Sequence, residues 1–120
     1  MKQRKNVRNE ELKKLISELK KLSIDNNVKI WKRVAEDLEK PVRQRRIINI
    51  YKLAQYSKEN DTIIVPGKVL GTGTITHKIK VAAYNFSEDA LTKINEKGEA
   101  ITITDLMKKN PTGKNIKILG

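Results

Sequence analysis

The sequence predicts an α/β fold, in which a basic arm and N-terminal helices lead into a compact core of strands alternating with helices. Two observations carry this. Before residue 40, apolar residues recur at helical spacing; after Ile47, short runs rich in Val and Ile alternate with helical patterns bounded by Ser, Gly and Pro. A length of 120 residues suits one domain with a single modest core. The expected organisation is a flexible arm over residues 1–8 and one domain over 9–120, helical and basic over 9–46 and α/β over 47–120.

The arm, MKQRKNVR, holds Lys2, Arg4, Lys5 and Arg8 and almost nothing apolar, so it should order only on a partner. Asn9 is a good N-cap for a first helix, with Glu10 and Glu11 in its first turn and Lys20 and Lys21 in its last. Leu12, Leu15, Ile16, Leu19 and Leu22 form its apolar stripe. A polar break at Ser23–Asn27 supplies Asp25 and Asn26 as caps for a second helix, which buries Val28, Trp31, Val34, Ala35 and Leu38. Pro41 ends that helix at Glu39 or Lys40.

Strands are expected at Ile47–Ile50, Thr62–Val65, Ile79–Tyr84, Ala100–Ile103 and Ile116–Leu119, with a helical turn or two through Tyr51, Leu53 and Tyr56. Helices fit at Ser87–Glu96, capped by Ser87 and stopped by Gly98, and at Thr104–Lys109. The glycine-rich run from Val65 to Gly73 reads as a Pro-Gly turn and a tight bend between strands. It is not a nucleotide loop, because Lys68 comes early and no Ser or Thr follows it to open a helix.

Charge points to the partner. The chain carries a formal +12, but residues 1–58 hold 17 Lys and Arg against 7 Asp and Glu, while residues 59–120 hold 9 against 7. A one-sided excess draws a polyanion, whereas scattered charge mainly keeps a protein soluble. The apolar fraction is 38% and the charged fraction 33%, so part of the surface should engage something polar. From Lys40 to Lys58, nineteen residues pass without an acid, and Arg43, Arg45 and Arg46 crowd into KPVRQRR. Most charge runs are solvated loops. Three arginines in this one favour phosphate, which their planar forks grip in two places.

Other chemistry is poorly supplied. There is no Cys, so disulfides and thiolate metal sites are excluded, in keeping with a reducing compartment. No apolar run approaches the ~18 residues that span a bilayer, and the basic start leads into Asn9-Glu10-Glu11 rather than an apolar leader. A cytoplasmic location is the expectation. His77 is the single histidine and has no second ligand or carboxylate pair beside it in the sequence, so no metal site, cofactor, small-molecule substrate or enzymatic reaction is expected. The helix-starting acids Glu10, Glu11, Glu88 and Asp89 read as structural. Trp31, Tyr84 and Phe86 are expected in the core, while Tyr51 and Tyr56 lie near the basic segment and can stack or donate to phosphate. With so few aromatics, binding should be to folded RNA through its backbone and shape.

Several segments together closely resemble a known family. They are ELKKLS at Glu18–Ser23, NVKIWKRVAEDLEKP at Asn27–Pro41, DTIIVPGKVLGTG at Asp61–Gly73, HKIKVAAYNFSEDA at His77–Ala90 and NPTGKNIKILG at Asn110–Gly120. The family is the archaeal form of the eighteen-e protein of the large ribosomal subunit, related to bacterial large-subunit protein fifteen. The resemblance covers nearly the whole chain, with VPGKVLG and NPTGK its most specific parts. It implies an irregular β-β-α superhelical core and basic extensions laid on large-subunit ribosomal RNA, beside neighbouring ribosomal proteins in the cytoplasmic ribosome. Eukaryotic relatives continue into a long basic tail where this sequence stops at Gly120, which favours an archaeal source.

By position, the resemblance implies RNA contacts at Lys32, Lys40, Arg43, Arg45, Arg46, Lys68 and Lys114. The charge reading adds the four arm cations and Arg33, Lys52 and Lys78. One alternative is a DNA-binding regulator, since two helices joined by a short polar turn can form a helix-turn-helix. Lys29, Lys32, Arg33 and Glu36 would be its outward face, but the basic peak follows that helix instead of opening it.

Overall fold

Val- and Ile-rich runs that are apolar on both sides belong in parallel sheets covered on both faces, and that is what these runs form. The computed structural model describes residues 2–41 and 45–119. In chain order they form α1 (Lys2–Asn26), α2 (Lys29–Glu39), β1 (Arg46–Asn49), α3 (Ile50–Gln55), β2 (Asp61–Leu70), β3 (Ile79–Phe86), α4 (Glu88–Lys97), β4 (Glu99–Thr102), α5 (Ile103–Lys109) and β5 (Ile116–Ile118). The predicted α/β class holds.

All strand pairs are parallel. β2 is the hub of the sheet. One of its edges carries β3, which carries β4 in turn. The other edge is shared: β5 pairs with Thr62–Ile64 and β1 with Gly67–Leu70, so the two short strands lie in line along one long one.

Alternation sorts the side chains of the sheet into two cores. Ile63, Val65, Val69, Val81 and Ala83 pack with Ile50 and Leu53 of α3 and with Ala90 and Ile94 of α4. On the opposite face, Ile64, Ala82 and Ile101 pack with Leu19 of α1, with Trp31, Val34, Ala35 and Leu38 of α2, and with Leu106 of α5. The result is a sheet between two helical layers.

The helices largely follow their sequence signals. Ser87 Oγ accepts from the Ala90 N–H and Thr102 Oγ1 from the Asp105 N–H, which caps α4 and α5. α2 stops at Glu39, and Lys40 takes the extended conformation (φ −65°, ψ 150°) required before Pro41.

Three expectations need correction. First, α1 begins at Lys2 and not at Asn9, because Lys, Gln and Arg are good helix formers and nothing before Asn27 breaks the turn. Second, the polar break shrinks to Asn27 and Val28. Asn27 takes a left-handed φ of 53°, and α2 has no side-chain cap from Asp25 or Asn26. Ser23 closes the corner instead, its hydroxyl donating to the Val28 carbonyl at 2.6 Å. Lys20, nearly two turns before the end of α1, meets Glu39 in the last turn of α2 at 2.9 Å. The helices therefore run back alongside each other as a hairpin, unlike the wide-angled pair of a helix-turn-helix.

Third, Val65-Pro66-Gly67 is not a turn. β2 runs through it to Leu70, and the register with β3 shifts between Val65 and Lys68. Proline has no N–H for a ladder, so within a sheet it belongs at such a bulge. Gly67 pairs with Arg46, and a Cβ there would collide with the Arg46 carbonyl oxygen. Gly67→Ala is therefore expected to push β1 off the sheet and cost about 1–3 kcal/mol, the usual range for overpacking. A urea midpoint equal to that of the wild type would remove the close approach from the account.

Candidate nucleic-acid interface

The basic segment is organised by the end of α2. Pro41 turns the chain out of the helix, and Arg45 brings it back by donating from Nε to the Lys40 carbonyl at 3.1 Å. Arg43, predicted between them, lies outside the described residues, as do the side chains of Lys2, Arg4, Lys5 and Arg8 on the first turns of α1.

β1 then starts at Arg46 and sets a row across the sheet, with Ile47 beside Lys68 and Lys68 beside Asn85. At this level the alternation of β3 fails. Ala83 and Phe86 both pack on the α3–α4 side, while Tyr84 and Asn85 between them are exposed. The bulge at Pro66–Gly67 sits at the same level of β2.

The outcome is a cleft of about 240 Å³ lined by Arg45, Arg46, Ile47, Gly67, Lys68, Tyr84 and Asn85. It contains three cations and no carboxylate. The Arg45 guanidinium lies over the Tyr84 ring, 5.8 Å from its centre, a cation–π arrangement at the rim. Among the described residues, none of the three cleft cations has a carboxylate within ion-pair distance.

The other predicted cations spread outward from this cleft. Lys40 is paired with Asp37 at 3.2 Å. Lys32 and Arg33 are exposed on α2, Lys32 in a groove it shares with Glu36 and Glu39. Lys114 belongs to the loop between α5 and β5. That loop is fastened to the start of α2, where Trp31 Nε1 donates to the Pro111 carbonyl at 2.8 Å and Gly113 touches Val28 and Ile30. Lys114 and the cleft thus mark the two ends of α2, about 16 Å apart at 1.5 Å per residue.

Lys52 and Lys78 stand elsewhere. Lys52 is on α3, on the far face of the sheet. Lys78 precedes β3 and lies about 23 Å along that strand from Asn85 at 3.3 Å per residue; its backbone N–H donates to the Glu59 carboxylate.

Two groups were assigned differently by sequence reasoning. Tyr84, expected in the core, is 36% exposed and forms a wall of the cleft. Lys93, not singled out at all, is half-buried and donates from Nζ to the carbonyls of Gly71 (2.6 Å) and Gly73 (2.9 Å). It fastens the loop after β2, where Gly73 has φ +114° and its Cα packs against the Tyr51 backbone. The consecutive polar-faced pair Tyr84-Asn85, interrupting an apolar strand, was the available signal for the first. Nothing in the local sequence marks the second.

Two polar pairs lie at the opposite end of the strands. Ser57 Oγ and His77 Nε2 are 2.6 Å apart and tie the loop before β2 to the loop before β3. Asp61 accepts from the Lys117 ammonium (2.9 Å) and the Lys58 backbone N–H (2.7 Å), which together hold its carboxyl below the usual carboxylate range. Among the described residues, no group of three His, Cys, Asp or Glu is placed to hold a metal ion, and no helix is long and apolar enough to cross a membrane.

Comparison with known proteins gives consistent matches. The family model described as ribosomal protein 60S L18 and 50S L18e matches residues 1–120. Large ribosomal subunit protein eL18 of Methanoregula boonei is 45% identical over 112 residues, covering 92% of this chain and 93% of its own. The protein of the same name from Methanospirillum hungatei is 42% identical over 120 residues, covering 99% of each chain. That of Haloarcula marismortui is 38% identical over 111 residues, covering 92% of this chain and 96% of its own.

Proposed function

Since the chain belongs to the family of ribosomal proteins 60S L18 and 50S L18e, we propose that it binds large-subunit ribosomal RNA through the cleft at the end of α2 and the basic band beside it. In keeping with its family it is a structural constituent of the large ribosomal subunit and not an enzyme, acting in the cytoplasm among ribosomal RNA and neighbouring ribosomal proteins. The observation that carries the site is the convergence of Arg45, Arg46 and Lys68 in one cleft without a carboxylate. Three such cations are costly to hold together unless a polyanion shares their field.

Lys32, Arg33, Lys40 and Lys114 extend this surface along α2, and Arg43, Lys2, Arg4, Lys5 and Arg8 are assigned to the same RNA on their sequence alone. Lys52 and Lys78 would meet a different RNA segment, reached when folded RNA passes around the sheet. A duplex-DNA regulator is disfavoured because α2 buries one side against the sheet, runs back along α1, and has its densest charge beyond its C-terminal end.

Neutralising about six to ten phosphates gives a log–log slope of RNA affinity against salt on the order of −5 to −9. Filter binding to large-subunit ribosomal RNA fragments between 50 and 200 mM salt, a span over which such contacts weaken binding by orders of magnitude, measures it. A slope shallower than about −2 is incompatible with phosphate-dominated binding, and tighter binding to duplex DNA of one sequence would favour the regulator.

A further inference from the structure

The cleft holds more than phosphate contacts require. Phosphates need cations and N–H donors, and exposed arginines and lysines supply those on any surface. Here the cations surround an aromatic ring, a side-chain amide and an aliphatic side chain: Tyr84 at 36% exposure, Asn85, and Ile47 at 63%. The fold goes out of its way to present them: the register shift at Pro66–Gly67 and the broken alternation after Ala83 leave two consecutive β3 side chains open to solvent.

We propose that this cleft receives a single nucleotide extruded from a folded RNA helix. The inference rests on the RNA-binding reading and specifies the ligand of that same site. One side of the Tyr84 ring is met by the Arg45 guanidinium, and an incoming base stacks on the pair, on the ring or on the guanidinium plane, as unpaired bases do on either. Ile47 forms an apolar wall. The Asn85 amide offers a donor and an acceptor side by side, which matches the edge of a base and has no counterpart on a phosphate. Arg46, next to Ile47 on β1, and Lys68, between Ile47 and Asn85 in the row, take the phosphates of the nucleotide and its neighbours. A continuous A-form duplex cannot place a base on the Tyr84 ring, because its bases are stacked on one another and its deep, narrow major groove keeps side chains out. A bulge or loop presents an unstacked base and can.

The test compares three RNA hairpins identical except that one is fully paired, one carries a single bulged adenosine and one a single bulged uridine. The intact protein should bind at least one bulged hairpin about tenfold more tightly than the paired one, within the range that base–aromatic stacking supports. Tyr84→Leu and Asn85→Ala should each abolish that preference, so that the variant binds bulged and paired hairpins equally. Arg46→Ala should weaken all three hairpins alike. Both Tyr84 and Asn85 are at the surface, and unchanged urea midpoints would establish that the variants fold. Equal wild-type affinity for the three hairpins overturns the nucleotide cleft and leaves the RNA interface standing; no binding to any of them at low salt overturns the interface itself.

Discussion

Replacing Arg45, Arg46 and Lys68 together by alanine is expected to weaken binding to large-subunit ribosomal RNA by at least about a hundredfold, or about 2.8 kcal/mol at 1.4 kcal/mol per factor of ten. Charge-assisted hydrogen bonds contribute on the order of 1.5–3 kcal/mol each, so three of them exceed this figure even when they add imperfectly. The same variant should flatten the salt slope by about two to three units, since each neutralised phosphate contributes about 0.7–0.9. Lys97→Ala, which removes a like charge from the exposed end of α4, should leave affinity within about twofold if the effect is local rather than a matter of net charge. Equal losses in the two variants would show that the cleft has no privileged role. The triple variant keeps every buried side chain, so its urea midpoint should stay close to that of the wild type.

The largest expected effect on stability is at Trp31. Its side chain is fully buried between α1, α2 and the sheet, and its indole N–H donates to the Pro111 carbonyl. Trp31→Ala removes the biggest side chain of that core and should cost about 3–5 kcal/mol, a large share of the ~5–15 kcal/mol available to a domain. Trp31→Phe keeps most of the apolar surface but leaves the carbonyl without its donor, and should cost clearly less, with about 1–3 kcal/mol coming from the orphaned acceptor. Equilibrium unfolding in urea separates the two. If both variants unfolded at the same denaturant concentration, the hydrogen bond and not the packing would dominate.

The layers of this fold were legible where one segment determines its own environment. Val34, Ala35 and Leu38 announce the buried side of α2 through spacing alone, Pro41 announces its end, and the acid-free stretch after Lys40 announces the basic segment. What stayed hidden depends on residues distant in sequence. Pro66-Gly67 carries the strongest local signal for a turn, and only β1 and β3 on either side turn it into a bulge within a strand. Tyr84 looks like core, and alternation turns it away from the cluster that holds Ala83, but at its level it meets Arg45 and the cleft instead of apolar side chains. The predicted break at Ser23–Asn27 shrank for a similar reason: Ser23, Asp25 and Asn26 tolerate helix when Leu19 and Leu22 are already anchored against α2 and α5. Among the site residues, charge density pointed to Arg45 and Arg46 and the resemblance added Lys68, but charge weighed Lys52 and Lys78 alike, and only the sheet reveals that these face other directions.

The shared edge of β2 also sets the order in which a growing polypeptide can finish its architecture. Residues up to Thr102 suffice for β1 to β4, yet they leave the first half of β2 without its second neighbour until β5 is made. The same late segment brings Pro111 to Trp31, a contact across 80 positions. Contacts so remote in sequence close slowly, because the loop entropy is lost before the contact is gained. A nascent chain therefore carries an open strand edge and an incompletely covered tryptophan until its residues 110–118 emerge, which makes this interval the time of greatest exposure to aggregation and to chaperones.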